Sequence, residues 1–284
     1  MHQYDSVQRF LFNNCPVRGQ LVHLNQSFHH VIQQHSYPAI IRNLLGEALA
    51  VTVLMRNIVK FTGKITLQLQ GNGPLKMLVA QCNDKLEFRG VAHFDEQSIQ
   101  TINAAKLSEL LGQGHCVIIM EPDNSTQRHQ GVVTLTGDTL STCIEHYFAS
   151  SEQLATRIWL ASHTDHISAL LLQQLPHDNN QESLHLWEHL TTLAHTITDK
   201  ELLTLDNETL LYRLFHQEQA RLFPAQTVSF KCQCSKTNFI AAIKTLPTQE
   251  CHDLLEQDGH IEMTCDYCNK QYHFSADDLK INTH

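Results

Sequence analysis

Apolar and polar residues alternate with two different periods along the first part of the chain. From Ala39 to Val59 the apolar residues recur at helical spacing, which predicts a long helix with one strongly apolar face in the core. Lys64–Gln70 alternates with period two and predicts a strand with one polar face. The turn sequence Gly71-Asn72-Gly73-Pro74 follows, and strand-like residues 75–81 and 85–94 come next. This order predicts an antiparallel meander.

Further short segments complete the pattern of residues 1–178. Strands are predicted at 9–12, 17–24, 116–120, 132–135 and 156–161, and helices at 25–34, 104–111 and 139–148, while residues 167–175, which end at Pro176, close this part. The strands cluster with helices and lack regular βαβ alternation. The pattern therefore favours an α+β fold, with an N-terminal domain of antiparallel strands and packed helices over residues 1–178.

The composition of the chain becomes polar at residues 177–181, and this stretch predicts a domain boundary. Residues 179–230 follow as a linker of short amphipathic helices. Their predicted N-caps are Ser183, Thr198 (with Glu201 completing a capping box) and Asp206 or Asn207. Such short helices depend on packing rather than propensity, so their apolar faces must lie on another part of the chain. They are either ordinary core helices or a detachable cover.

Four cysteines near the C-terminus form two close pairs. The pattern is C-x-C, thirty residues, then C-x-x-C, and the residues are Cys232, Cys234, Cys265 and Cys268. Two thiol pairs brought together supply the four sulfurs of a tetrahedral zinc site, with Zn–S distances of about 2.3 Å. We therefore predict one Zn²⁺ per chain. A disulfide framework would need an oxidising compartment, which nothing in the sequence indicates.

The segment that carries these cysteines, residues 231–284, is predicted to be a small zinc-binding domain. A chain of this length buries too little apolar surface to fold comfortably, and a structural zinc can supply roughly 10–16 kcal/mol of apparent binding energy. Four thiolate ligands leave no position for a water, so hydrolytic chemistry is not expected. His252, His260 and His273 are alternative ligands that the site does not need, and Cys251 is interpreted as a bystander.

The thiolates can also be oxidised, which would remove the ligands. Either pair could close a disulfide locally, and a strained C-x-C ring would be easily reduced again. From the spacing alone, a redox switch and a purely structural zinc remain equally open. The roles of Cys15, Cys82, Cys116 and Cys143 and of the 20 histidines are also left open.

Charge and hydropathy exclude several other classes of protein. The net charge is −9, and residues 231–284 hold five Lys or Arg against eight Asp or Glu. A nucleic-acid-binding zinc ribbon is therefore disfavoured, because phosphate backbones require basic residues. The most apolar long stretch, 40–55, contains Arg42, Asn43 and Glu47, and the N-terminus lacks the pattern of a secretory signal. A soluble cytoplasmic protein with reduced thiols is expected, without a membrane partner.

Two motifs resemble those of enzymes but lack the secondary structure that such motifs require. The Gly71-Asn72-Gly73 sequence joins two predicted strands and opens no helix, unlike a phosphate-binding loop. Cys265-x-x-Cys268 matches the redox motif of thiol–disulfide oxidoreductases, but that motif usually opens a helix in a βαβ unit. An oxidoreductase would also leave the first cysteine pair unexplained. We therefore expect no catalytic residues and no enzyme activity.

Several motifs resemble one family over nearly the full length of the chain, the redox-regulated holdase chaperones called the thirty-three-kilodalton heat-shock protein family. The matching residues are Gly63–Leu75, Phe88–Val91, Tyr147–Gln153 with Thr156-Arg157, Leu170–Pro176, Phe230-x-Cys232-x-Cys234-Ser235 and Cys265-Asp266-Tyr267-Cys268. One departure is Ser168-Ala169, in a predicted loop where the family tends to have glycine.

The resemblance implies an ATP-independent holdase that binds unfolding proteins and prevents their aggregation under oxidative stress. The reduced, zinc-bound form would be inactive and cytoplasmic. Peroxide with unfolding stress, or hypochlorous acid, would form the Cys232–Cys234 and Cys265–Cys268 disulfides, with zinc release. The C-terminal domain and linker would then lose structure, and the active form would be a homodimer.

Overall fold

The structure, a computed structural model, describes residues 5–279 except 14, 101, 103–105, 126, 136 and 177–180. Its contacts divide the chain into two compact units, Met1–Phe230 and Lys231–His284. The three-part division with boundaries at residues 178 and 230 stays a prediction. The polar residues 177–180, on which the first boundary rests, lie outside the described residues.

The first unit contains two six-stranded sheets, with strands and helices numbered here in chain order. The first sheet consists of β1 (Ser6–Phe12), β2 (Val17–Leu24), β8 (Thr156–His163), β9 (His166–Gln174), β10 (Ala220–Leu222) and β11 (Gln226–Thr227). Its order is β10-β1-β2-β9-β8, with β11 also paired to β1, and all of these pairs are antiparallel. The loop predicted around Ser168-Ala169 is wrong, because both residues lie within β9 and pair with β2.

The second sheet contains the predicted meander. Its strands are β3 (Gly63–Gly71), β4 (Leu75–Asn83), β5 (Glu87–Phe94), β6 (Gly114–Pro122), β7 (His129–Thr134) and β12 (Ser229–Phe230). Their order is β12-β5-β4-β3-β6-β7, and β12 pairs with β5 in parallel. The prediction of a wholly polar face on β3 is partly wrong. Thr66 is buried and accepts a hydrogen bond of 2.8 Å from Gln81 Nε2 on the neighbouring strand.

The turn between β3 and β4 is a tight packing site, and no helix follows it. A Cβ at Gly71 would lie 2.1 Å from the carbonyl oxygen of Leu111, and the Gly73 amide donates to that same oxygen at 2.9 Å. Glycine is therefore required here by close backbone approach. The rejection of a phosphate loop is consistent with this geometry.

A single long helix, α2, holds the two sheets together. The helices of this region are α1 (Gln26–Ile32), α2 (Ala39–Ile58), α3 (Glu96–Ile99), α4 (Leu107–Leu111) and α5 (Leu140–Ser150). Thirteen residues of α2 are buried, and the helix contacts strands of both sheets. Its predicted role as a core helix is confirmed. No helix in the described part of the chain is long and apolar enough to cross a membrane.

Three further helices lie on the other face of the first sheet: α6 (Gln181–Ala194), α7 (Asp199–Thr204) and α8 (Asn207–Phe215). The capping box of Thr198 with Glu201 and the Asp206 cap are confirmed. The cap predicted at Ser183 is wrong, because α6 begins two residues earlier and Ser183 is buried within it.

Strand alternation decides which side chains these helices cover. Val7, Val22 and Leu171 belong to the core around α2, while residues of opposite parity pack under α6, α7 and α8. We call the latter set the covered face; it consists of Phe10, Phe12, Val17, Leu21, Leu170 and Leu172. All six side chains are buried. The first sheet is therefore apolar on both sides.

The second unit is small and has its own core. It contains α9 (Lys236–Ile243), α10 (Thr248–Asp258), the hairpin of β13 (Ile261–Thr264) and β14 (Gln271–Phe274), and α11 (Ala276–Leu279). The buried cluster holds six residues: Ile243, Cys251, Leu255, Ile261, Phe274 and Leu279. A core of this size gives little independent stability.

Candidate metal centre

The two cysteine pairs meet at one end of the β13–β14 hairpin. Cys232 and Cys234 lie in the irregular segment that leads to Ser235. Ser235 is the N-cap of α9, and its hydroxyl accepts a hydrogen bond from the Asn238 amide. Cys265 and Cys268 lie in the turn that joins β13 to β14. The hairpin brings the second pair back against the segment that carries the first.

Backbone hydrogen bonds hold the turn of the second pair. The amides of Cys268 and Asn269 donate to the Cys265 carbonyl at 3.3 and 2.8 Å, and the Cys265 amide donates to Lys270 at 3.0 Å. Asn269 adopts φ = 51°, a left-handed conformation that asparagine tolerates better than most residues. The local sequence therefore folds into a knuckle that presents both thiols on one side.

The four sulfurs have the spacing of a tetrahedral metal site. Cys232 Sγ lies 3.6 Å from Cys265 Sγ, and Cys234 Sγ lies 3.5 Å from Cys268 Sγ. All four sulfurs lie within 4.8 Å of one another. Around a zinc ion with Zn–S bonds of about 2.3 Å, tetrahedral sulfurs would be separated by about 3.8 Å. The four predicted ligands are thus brought together, and they fit zinc.

The electrostatics of the cluster also call for a cation. Burial, together with the neighbouring Cys232 thiol, raises the pKa of Cys265, and burial with the surrounding thiols raises the pKa of Cys268. Burial would also raise the pKa of Cys234, but hydrogen bonds from Tyr272 and the other thiols lower it to about 7. Four thiolates this close repel one another, so full ionisation needs a positive ion at their centre.

Tyr272 is a site residue that the sequence did not reveal. Its hydroxyl donates to Cys234 Sγ and to the Cys234 carbonyl, each at 3.2 Å. The bond to Cys234 is the main cause that raises the pKa of Tyr272 to about 12, so the hydroxyl keeps its proton. The role of Tyr272 follows from the β13–β14 register, which gives no motif of its own.

The other candidates lie outside this cluster. Cys251 is buried in the core of the second unit, and its thiol contacts the Ile243 carbonyl at 3.7 Å, which agrees with its interpretation as a bystander. Cys82, Cys116 and Cys143 are buried in the first unit. Cys265-x-x-Cys268 occupies a hairpin turn rather than the start of a helix, so it lacks the context of an oxidoreductase motif.

A family comparison covers nearly the whole chain. Residues 5–275 match the family model described as "Hsp33 protein". Two curated relatives, both named 33 kDa chaperonin, come from Shewanella oneidensis and Shewanella baltica. They are 44% and 45% identical over 277 residues, which is 97% of this chain and 94% of each relative.

The fold is also similar to a solved structure. The crystal structure of a 33 kDa chaperonin from Thermotoga maritima superposes with a TM-score of 0.80 and covers 98% of this chain and 97% of its own. The two sequences are 20% identical, so this likeness concerns the fold.

Proposed function

The chain belongs to the Hsp33 family, and from that premise we propose that it is a redox-regulated, ATP-independent holdase chaperone. In this proposal the reduced protein holds one Zn²⁺ through Cys232, Cys234, Cys265 and Cys268 and is inactive. Oxidation releases the covered face for unfolding proteins. The names of the relatives support a chaperone rather than an enzyme.

The covered face is the observation that carries the proposal. It places Phe10, Phe12 and four aliphatic side chains on one side of the first sheet, beneath three short helices. Contiguous apolar surface of this kind binds unfolded chains once it is exposed. Short helices contribute little stability of their own, so the cover can detach at a lower free-energy cost than the sheet itself.

The thiols supply the chemistry of the switch. Two thiolates give up two electrons as one S–S bond forms, and hydrogen peroxide takes these electrons with two protons from solvent and becomes two waters. Two such steps, giving Cys232–Cys234 and Cys265–Cys268, consume all four ligands. Disulfide sulfurs no longer hold the ion, because only the thiolate is a strong metal ligand.

Loss of the ligands unfolds the second unit in this proposal. When bound, zinc supplies roughly 10–16 kcal/mol of apparent folding free energy to a small domain of this type. The hydrophobic cluster of six buried residues described in this unit cannot replace a contribution of that size. The two local disulfides also leave the first cysteine pair unconnected to the second, so nothing covalent preserves the fold.

The remaining parts of the proposal follow the family resemblance. Residues 179–230 act as a linker that loses structure with the second unit, and α6, α7 and α8 leave the covered face. The oxidised protein is a cytoplasmic homodimer that holds clients without ATP, a nucleic acid or a membrane. The three-part division at residues 178 and 230 is part of this proposal.

Light scattering tests the function. A chemically unfolded client is diluted into buffer without ATP, with zinc-loaded reduced protein in one sample and peroxide-treated protein at heat-shock temperature in the other. We expect only the oxidised protein to suppress aggregation. Failure of both samples, with zinc retained, would leave a structural zinc site and overturn the switch. Reduction of insulin disulfides by the protein would instead indicate an oxidoreductase.

A further inference from the structure

A second group of metal-ligating side chains lies on the outer side of the β13–β14 hairpin. Glu262 and His273 are directly opposite each other in the register, and His260 precedes Glu262 by two positions. The neighbouring pair, Ile261 and Phe274, is buried in the core of the second unit. Strand alternation therefore turns Glu262 and His273 toward solvent.

The three side chains are close enough to share one ion. One ligand atom from each lies within 4.8 Å of the others. His273 Nδ1 is 3.9 Å from Glu262 Oε2, and the rings of His260 and His273 have centroids 5.1 Å apart at an interplanar angle of 61°. All three side chains are exposed. Ligand atoms 2.0–2.2 Å from a tetrahedral zinc ion lie about 3.3–3.6 Å apart, so small rotations of these exposed side chains would bring the three atoms around one ion.

The chemistry of the set indicates which ion it takes. Two imidazoles with one carboxylate are typical of zinc sites that keep a fourth position for water, whereas Ca²⁺ and Mg²⁺ prefer oxygen ligands throughout. The cluster shares no residue with the four cysteines.

We propose that His260, Glu262 and His273 form a second, exchangeable zinc site on the outer side of the hairpin. Zn²⁺ occupies it with three protein ligands and water. Glu262 belongs to β13 and His273 to β14, and His260 directly precedes β13. The site therefore exists only while the two strands are paired. When free zinc is at 100 times its dissociation constant for this second site, the equilibrium constant for unfolding of the unit therefore falls about 100-fold.

That stabilisation has a consequence that rests on the proposed function. Because the second unit must unfold for activation, excess zinc raises the amount of oxidant that activation requires. The site itself does not depend on the chaperone activity. Its test therefore uses the reduced protein and measures metal binding alone.

The experiment is equilibrium dialysis of the full-length reduced chain against buffered Zn²⁺, followed by metal analysis. We expect one tightly held equivalent, retained against a weak chelator, and a second equivalent that the chelator removes. His260→Ala and His273→Ala should each abolish the second equivalent, and Glu262→Gln should weaken it. Retention of the tight equivalent shows that each variant is folded at the cysteines.

His252→Ala is the matched control, since His252 lies in α10 of the same unit and outside the cluster. It should bind both equivalents as the unmodified protein does. The proposal is overturned if His260→Ala and His273→Ala keep the second equivalent. It is also overturned if His252→Ala loses that equivalent to the same extent, since binding would then be distributed over surface histidines. A missing tight equivalent in the unmodified protein would count against the cysteine site instead.

Discussion

Phe215 of α8 meets Phe12 of β1 edge-on, with ring centroids 5.1 Å apart and an interplanar angle of 87°. Phe10 lies on the same side of the strand, 6.2 Å from the Phe215 ring. Edge-to-face pairs of this kind add attraction beyond the apolar area that they bury. This cluster of three rings is therefore a principal attachment of the short helices to the covered face, and it suggests how to release them.

Phe215→Ala should loosen this attachment in the reduced protein. Phe215 is 1% exposed, so its truncation removes buried area and leaves a cavity, at a cost of about 3–5 kcal/mol. We expect α6, α7 and α8 to open without oxidant and the reduced variant to suppress client aggregation. Light scattering measures this, with denaturant unfolding as the measure of stability.

Tyr212→Ala is the control for that variant. Tyr212 lies on the same helix but is 73% exposed, so its truncation should change stability by no more than about 0.5 kcal/mol. It should also leave the reduced protein inactive. Wild-type stability and inactivity of reduced Phe215→Ala would contradict the attachment.

Oxidation should form disulfides between the cysteines that are close in sequence, rather than between the two pairs. The sulfur contacts of 3.6 and 3.5 Å join Cys232 to Cys265 and Cys234 to Cys268, so the folded site also offers crossed disulfides. Crossed bonds would tie the hairpin to the preceding segment and limit the unfolding of the unit. We expect Cys232–Cys234 and Cys265–Cys268 when the oxidised, active protein is digested and its peptides are mapped by mass spectrometry. Crossed pairs in active protein would rule out this route.

Tyr272→Phe should weaken zinc binding without abolishing it. The variant keeps the ring against Phe239, 4.9 Å away between centroids, and removes only the donor to Cys234. Loss of such a supporting hydrogen bond typically costs 10–100-fold in metal affinity. Chelator competition measures the change. Cys232→Ser should lose tight binding altogether and Cys251→Ala should retain it; equal affinity in Tyr272→Phe and the unmodified protein would deny the hydroxyl this role.

Glu47 should make the stability of the first unit depend on pH. Burial raises the pKa of its carboxyl from 4.5 to about 7, partly offset by the Ser162 hydroxyl, which donates at 3.4 Å, and increased by Asp199. Between pH 4.5 and about pH 7, the Glu47 carboxyl is protonated in the folded protein but ionised in the unfolded chain. This group's contribution to stability therefore falls as pH rises through that window and is constant above it.

Glu47→Gln should remove this fall. Above pH 7 the variant should be more stable than the unmodified protein by on the order of 1–3 kcal/mol. Denaturant unfolding at pH 5 and pH 8 measures the difference, and Glu188→Gln, an exposed site on α6, is the control. A difference between Glu47→Gln and the unmodified protein that is the same at both pH values would show that Glu47 does not titrate in this range.

Local patterns predicted the elements and the four cysteines well. The period-two alternation of Lys64–Gln70 and the helical spacing of Ala39–Val59 are short-range signals, and both elements form close to the predicted bounds. The burial of Thr66, the strand position of Ser168 and the hydrogen bond of Tyr272 were not predicted, because each depends on partners distant in sequence. Thr66 is covered across a strand pair, Ser168 pairs with β2, and Tyr272 reaches a cysteine 38 residues away. Such contacts depend on register and topology.

The two tryptophans of the chain allow the most direct measurement of the switch. Trp159 on β8 and Trp187 on α6 both pack against the cluster that contains the covered face. If oxidation removes the helices from this face, tryptophan emission shifts to longer wavelength with the same time course as the gain in client binding. Reduced Cys232→Ser should already show the shifted emission, whereas Cys251→Ala should behave as the unmodified protein. Unchanged emission in oxidised protein that suppresses aggregation would place client binding on a surface other than the covered face.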